Sequence, residues 1–145
     1  MIVLIAIDFS AVTRRQLEAA TRLVRNRPAI VYLLHVAQPD PAFVGFEAGP
    51  AVVRDQVAAE FHREHRDLQA LAGELRETCP ETTALLVQGP TVETILGEAG
   101  KLGADLIVVG SHGHGAAYDL LVGSVSAGVI RKAPVPVLVV PARAD

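Results

Sequence analysis

Uninterrupted runs of apolar residues alternate along this chain with stretches in which apolar residues recur every three or four positions. Ile2 to Ile7 is the first run and ends at Asp8. Ile30 to Val36, Thr83 to Val87, Leu106 to Val109 and Val135 to Val140 are the next four. Between them, Leu17, Ala20 and Val24 fall at helical spacing. Val57, Phe61, Leu68, Leu71 and Leu75 fit a long helix, Val92, Ile95, Leu96 and Ala99 a short one, and Leu121, Val125 and Val129 a last one. The runs lack in–out alternation, so each predicts a strand buried on both faces. Strands of that kind separated by helices predict an α/β fold with a parallel sheet between two helical layers. Right-handed crossovers then set most of the topology. The segment Gln38 to Pro50 breaks the rhythm with Pro39, Pro41, Gly45, Gly49 and Pro50, and predicts an exposed loop or lid over the carboxyl edge of the sheet. No repeat, linker or low-complexity tract divides the chain, which is expected to form one domain over residues 1–145.

The last run raises a question of association. Pro134 and Pro136 bracket its start, and only Pro141 to Asp145 follow its end, too few residues for a covering helix. An open apolar edge strand invites pairing with a second chain, and a twofold dimer through residues 135–140 is the simplest closure. The alternative places this strand inside the sheet.

Composition narrows the class. Of the 145 residues, 50% are hydrophobic and 20% charged, enough for a core without metals or disulfides. The net charge of −3 argues against a general nucleic-acid or anionic-membrane binder, which carries a basic stripe. Cys79 is the one cysteine, so no intrachain disulfide forms, in keeping with a reducing cytoplasm. The apolar start, Met1 to Ile7, has no basic flank or small-residue cleavage site and is too short to span a membrane.

The chemistry concentrates after the fourth run. Gly110-Ser111-His112-Gly113 is followed by nine residues and then Gly123-Ser124, where the last helix pattern begins. A strand that empties into a glycine-rich loop and then a helix start suits a phosphate. Glycines let backbone N–H groups approach an anion, and the helix N-terminus adds about half a positive charge. In an open parallel sheet, ligands sit beyond the carboxyl ends of the strands where strand order reverses. Asp8 after the first strand, the His35-Val36 turn after the second and the Gly110 loop after the fourth are the groups at those ends. With the first and fourth strands adjacent, the arrangement suits a nucleotide.

Over nearly its whole length the chain resembles the universal stress proteins of the ATP-binding type. Gly110, Gly113, Gly123 and Ser124 match that family's glycine pattern without a gap. Ile2 to Ser10, Leu34-His35-Val36, Gln88-Gly89-Pro90, Gly103 to Gly113, Gly123 to Ser126 and Ala133 to Val140 resemble its other signature segments. The resemblance implies a five-stranded sheet in order 3-2-1-4-5 of the adenine-nucleotide alpha hydrolase-like fold. It also implies a cytoplasmic homodimer joined through its last strands. It implies ATP, ADP or AMP with Mg2+ or Mn2+, and a role in stress response and nucleotide sensing with weak or no turnover. By position, Asp8 would lie near ribose and metal, and Val36 would meet adenine through its backbone. Val109, Gly110, Gly113, Gly123, Ser124 and Val125 would surround the ribose and phosphates. His114-Gly115-Ala116-Ala117 departs from the family by carrying no fixed positive charge in the loop, which points to weaker binding or to a nucleotide with fewer phosphates.

Plainer roles compete at several positions. Ser124 is either a phosphate contact or a simple N-cap, and Asp8 or Ser10 is a cap for a helix beginning near Ala11. A receiver-domain role for Asp8 would want a lysine after the fifth strand, whereas Lys132 precedes it. His112 and His114 lack a third and fourth ligand nearby for a metal. His62 and His65 lie beside Glu60 and Glu64 on a solvated helix face, with His65, four residues after Phe61, alternatively bordering the core. His35 reads as a satisfied structural histidine and Cys79 as inert. A nucleophile elbow, a P-loop lysine and a dinucleotide fingerprint are all missing. Two functions stand beside nucleotide binding: a slow metal-dependent hydrolase or phosphotransferase using Asp8, and a nucleotide-free interaction protein.

Overall fold

The computed structural model describes residues 1–38, 51–111 and 122–142. Among the described residues, five strands and four helices alternate: β1 (Ile2–Ile7), α1 (Thr13–Val24), β2 (Ile30–Ala37), α2 (Ala51–Arg76), β3 (Thr82–Gln88), α3 (Thr91–Leu102), β4 (Leu106–Gly110), α4 (Ser124–Lys132) and β5 (Val137–Val140). The strands form one sheet in the order β3-β2-β1-β4-β5, with every neighbouring pair parallel. This is the three-layer α/β architecture that the alternation of runs and helical stripes predicts.

The unbroken apolar runs have a direct explanation. Val3, Ile5 and Ile7 of β1 enter a core shared with Leu17, Ala20 and Val24 of α1 and Leu68, Ala72 and Leu75 of α2. Leu4, between them, enters a second core on the opposite face with Ile95 and Ala99 of α3 and Val129 of α4. Because both faces are covered, Val3, Leu4 and Ile5 are buried in succession, and the period of two is hidden.

Chain order reverses around β1. β2 and β3 extend to one side of it, and β4 and β5 to the other. Asp105 secures the crossover at the base of the sheet. Its Oδ2 accepts the Ile2 N–H at 2.7 Å, and its own N–H donates to the Ile2 carbonyl at 2.8 Å. Just before it, Gly103 adopts φ +64 and ends α3, so that the Ala104 N–H reaches back to the Ala99 carbonyl at 2.9 Å. Val3, Leu4 and Ile5 then pair with Leu106, Ile107 and Val108.

Two local expectations are corrected. The first helix begins at Thr13 and not near Ala11, because residues 8–12 form a turn in which the Thr13 N–H donates to the Ser10 carbonyl at 3.0 Å. The last strand begins at Val137 and not Val135. Pro136 has no N–H to give the ladder, although its carbonyl still accepts from Ile107 at 3.1 Å. His62 and His65 are both exposed, which bears out the solvated helix face, and Glu64 is the residue that continues the core stripe of α2. The final strand does lie at an edge of the sheet, next to β4 alone among the described residues. The expected loop from Gln38 to Pro50 falls, apart from Gln38, outside the described residues, as does Leu121.

Candidate functional site at the strand-order reversal

Asp8 follows the last residue of β1, and Ser111 follows the last residue of β4, on adjacent strands. The carboxyl ends of β1 and β4 thus meet at the reversal of strand order, the place where an open α/β sheet offers a crevice.

Asp8 is half-buried, and its Oδ1 accepts the Ser10 N–H at 3.0 Å. This is an Asx turn, in which a side chain replaces a backbone acceptor. It means that Asp8 shapes the β1–α1 turn and does not cap α1, whose N-cap residue Val12 has no side-chain bond. The Ser10 and Thr13 hydroxyls in the same turn are buried without a hydrogen-bond partner among the described residues.

On the β4 side, Val109 is buried and Gly110 ends the strand. Ser111, which the motif contains but which was not among the expected contacts, is buried and serves as a junction. Its N–H donates to the Val140 carbonyl at 2.8 Å, and its hydroxyl accepts the Ala142 N–H at 3.0 Å. Its carbonyl accepts the Gly123 N–H. The ends of β4, β5 and the approach to α4 are thereby joined at one residue. Ser126, also missed, is buried, and its hydroxyl donates to the Gly110 carbonyl. The sequence signal for both was a small hydroxyl residue beside a glycine at an element end.

Gly123, at φ −71 and ψ 165, is the N-cap residue of α4. Ser124 is therefore the first helical residue; it is exposed and makes no capping bond. The Ala127 N–H, bonded to the Gly123 carbonyl at 2.9 Å, is the first to be satisfied within the helix. The N–H groups of Ser124, Val125 and Ser126 find no acceptor among the described residues, as expected of a helix's first turn. They give this end of α4 its positive potential, while the helix's basic residues, Arg131 and Lys132, lie in its last turn. Neither 106–111 nor 122–126 contains a lysine or arginine. Gly113, His112 and His114 lie outside the described residues.

Val36 is buried near the end of β2. The Ala37 carbonyl accepts from Gly89 on the β3 side at 3.3 Å. By the alternation of a parallel ladder, the main-chain groups of Val36 point to the β1 side, where β1 has stopped at Ile7. Beside it, His35 is buried with Nδ1 2.9 Å from the Ile7 carbonyl oxygen, which bears out its reading as a bonded structural histidine. Asp8, Val36, Gly110, Gly123, Ser124 and Val125 are thus all at or next to the carboxyl ends of β1, β2 and β4. Cys79 lies at the opposite, amino end of the sheet, buried, and burial pushes its thiol pKa up. A groove of about 570 Å3 at that end is lined by Val24, Arg27, Ile30, Cys79 and Glu81, away from all of these groups. Among the described residues, no three histidine, cysteine, aspartate or glutamate side chains cluster as a metal cage, and no helix is long and apolar enough to cross a membrane.

A doubly wound sheet with a phosphate-compatible helix start at its reversal point defines the protein as an α/β domain of the adenine nucleotide alpha hydrolase-like fold. The sequence profile of the Universal stress protein family matches residues 1–141, and the chain belongs to that family. A Thermus aquaticus universal stress protein, encoded in the 3′ region of a QAH/OAS sulfhydrylase, is 36% identical over 141 residues, which are 95% of this chain and 96% of that protein. The structure of the universal stress protein UspA from Lactobacillus plantarum superposes with a TM-score of 0.80 at 22% identity, covering 97% of each chain. The universal stress protein from Archaeoglobus fulgidus in complex with dAMP superposes with a TM-score of 0.65 at 23% identity, covering 96% of each chain. The two structural likenesses establish the shared fold.

Proposed function

We propose that this chain binds an adenine nucleotide between the ends of β1 and β4 and acts as a nucleotide-sensing stress protein. The observation that carries the proposal is the first turn of α4, three N–H groups without acceptors among the described residues, next to the carboxyl end of β4, whose neighbour β1 leads into Asp8 at the reversal of strand order. In this reading the phosphate lies on Ser124 and Val125, with Gly110, Gly113 and Gly123 allowing close approach of the backbone. Ribose lies by Asp8 and Val109, and adenine meets the main chain of Val36. The dAMP held by the Archaeoglobus relative supports the ligand class.

The residues fit a divalent cation of the Mg2+ type better than a metal cage. Asp8 supplies one carboxylate, and such a cation takes its other oxygens from phosphate and water. Bound there, it would neutralise phosphate charge. With no lysine or arginine between Gly110 and Ser124, the chain has little to hold a triphosphate or to stabilise developing charge, so it favours mono- and diphosphates and holds them uncleaved. The open edge at β5 pairs two chains into a cytoplasmic homodimer.

Calorimetry with AMP, ADP and ATP, with and without Mg2+, tests the reading. Binding at micromolar to millimolar concentration that weakens from AMP to ATP is expected. Absence of heat with all three, and of nucleotide released from denatured protein in mass spectrometry, would overturn it.

A further inference from the structure

His35 touches both residues that flank Asp8. Its Nδ1 is 2.9 Å from the carbonyl oxygen of Ile7. Its ring lies against the ring of Phe9, centroids 4.5 Å apart and planes at 51°. A carbonyl oxygen accepts only, so Nδ1 carries a proton and donates, which defines one ring orientation. On the far side, Nε2 is 3.4 Å from Oε1 of Glu64. Glu64 stands where the core stripe of α2 would otherwise place an apolar residue, in line with Phe61, Leu68 and Leu71. The imidazole is therefore bonded at Nδ1 and packed on one face, with a carboxylate oxygen facing Nε2, and it is 8% exposed.

The segment it holds is unusual. Phe9 has φ +59, a left-handed conformation that bulky side chains rarely adopt and that persists only where the surroundings impose it. The left-handed step at Phe9 redirects the chain directly after Asp8, and the Asx turn to Ser10 completes the bend. One ring thus bonds the residue before Asp8 and packs on the residue after it.

We propose that His35 is a positioning residue: it holds Asp8 in its binding orientation by clamping Ile7 and Phe9, with Glu64 keeping the ring in place. The proposal rests on Asp8 being part of a nucleotide site, and His35 itself touches no ligand in it.

The two ring nitrogens are separable by substitution. Asparagine places its amide N–H where Nδ1 stands, whereas glutamine places one where Nε2 stands. Among His35→Asn, His35→Gln and His35→Leu, the asparagine variant should keep AMP affinity within about threefold of wild type, and the other two should lose tenfold or more. Equal affinity across the three variants would overturn the proposal, because a purely structural histidine would not discriminate between them. Should His35→Leu fail to fold, Glu64→Ala takes its place, with a severalfold loss expected and unchanged affinity counting against the clamp. A second readout separates this proposal from the nucleotide reading. In ligand-free 1H–15N spectra, the Asp8, Phe9 and Ser10 amides should move in His35→Gln and His35→Leu and stay near their wild-type positions in His35→Asn. If wild type binds no nucleotide, the functional reading fails, and these amide shifts alone decide the clamp; the same shifts in all three variants would refute it.

Discussion

The hydroxyl of Ser126 donates to the main-chain carbonyl of Gly110, bonding the first turn of α4 to the last residue of β4. Both ends of the glycine-rich loop are thereby tied to one another. Ser126 is buried and the bond partly so; Ser126→Ala removes this donor from the Gly110 carbonyl and should lower stability by about 1–3 kcal/mol. Urea denaturation measures that loss. Calorimetry on the folded variant should also show weaker AMP binding, since the helix start is no longer held to the strand.

Ser124 should behave in the opposite way. It is exposed and caps nothing, so Ser124→Ala should change stability by less than about 0.5 kcal/mol. Loss of a hydrogen bond to a charged phosphate costs about 1.5–3 kcal/mol, so AMP affinity should fall roughly ten- to a hundredfold. Unfolding and binding measured on the same preparation separate the two effects; a destabilised variant with wild-type affinity would return Ser124 to a structural role.

Helices α3 and α4 pack closely at Gly128. A Cβ added there would lie 2.8 Å from Cγ2 of Val92 and 3.3 Å from its Cγ1. Valine is stiff about χ1 and has little freedom to give way. Gly128→Ala gains about 0.5–1 kcal/mol of helix propensity but introduces overpacking of about 1–3 kcal/mol. A net destabilisation of about 1 kcal/mol is expected. Adding Val92→Ala opens the contact, and a double-mutant cycle by urea unfolding should show favourable coupling between the two changes.

Glu93 gives a pH dependence. Its own backbone N–H at the start of α3, and then Lys132 of α4 at 3.2 Å, hold its carboxyl below the usual carboxylate range. A carboxylate whose pKa is depressed by folding contributes stability that is fully present above its unfolded value and lost as pH falls through the folded one. Both side chains are exposed, so the contribution is small and screened by salt. Urea midpoints followed from neutral to acid pH should fall slightly less steeply for Glu93→Gln than for wild type, and the difference should shrink at high salt.

The fold was legible in the chain because two independent periodicities agree. Leu4 and Ile5 are adjacent yet enter opposite cores, and such a run occurs where both sheet faces are covered. Element ends were less legible, since they depend on single hydrogen bonds. Ser10 and Thr13 close a turn that delays α1, and Pro136 cannot join the ladder of β5. The helix stripe of α2 was ambiguous because Phe61 and Leu68 are seven apart, leaving residues 64 and 65 both compatible with the face. Only the folded chain, with His35 opposite, shows that Glu64 takes the inward place. The same holds at the site. Glycine spacing located the helix start, but Ser111 and Ser126 act through the carbonyls and amides they reach, and those partners are distant in sequence.

The central claim is that an adenine nucleotide lies between Asp8 and the first turn of α4. Titration of the 15N-labelled protein with AMP, followed by 1H–15N correlation spectra, tests it most directly. Saturable shifts are predicted for the amides of Asp8, Val36, Ser124 and Val125, with Ile30, Cys79 and Glu81 at the opposite end of the sheet unmoved. Shifts centred on that opposite end, or a spectrum unchanged at millimolar AMP, would contradict it.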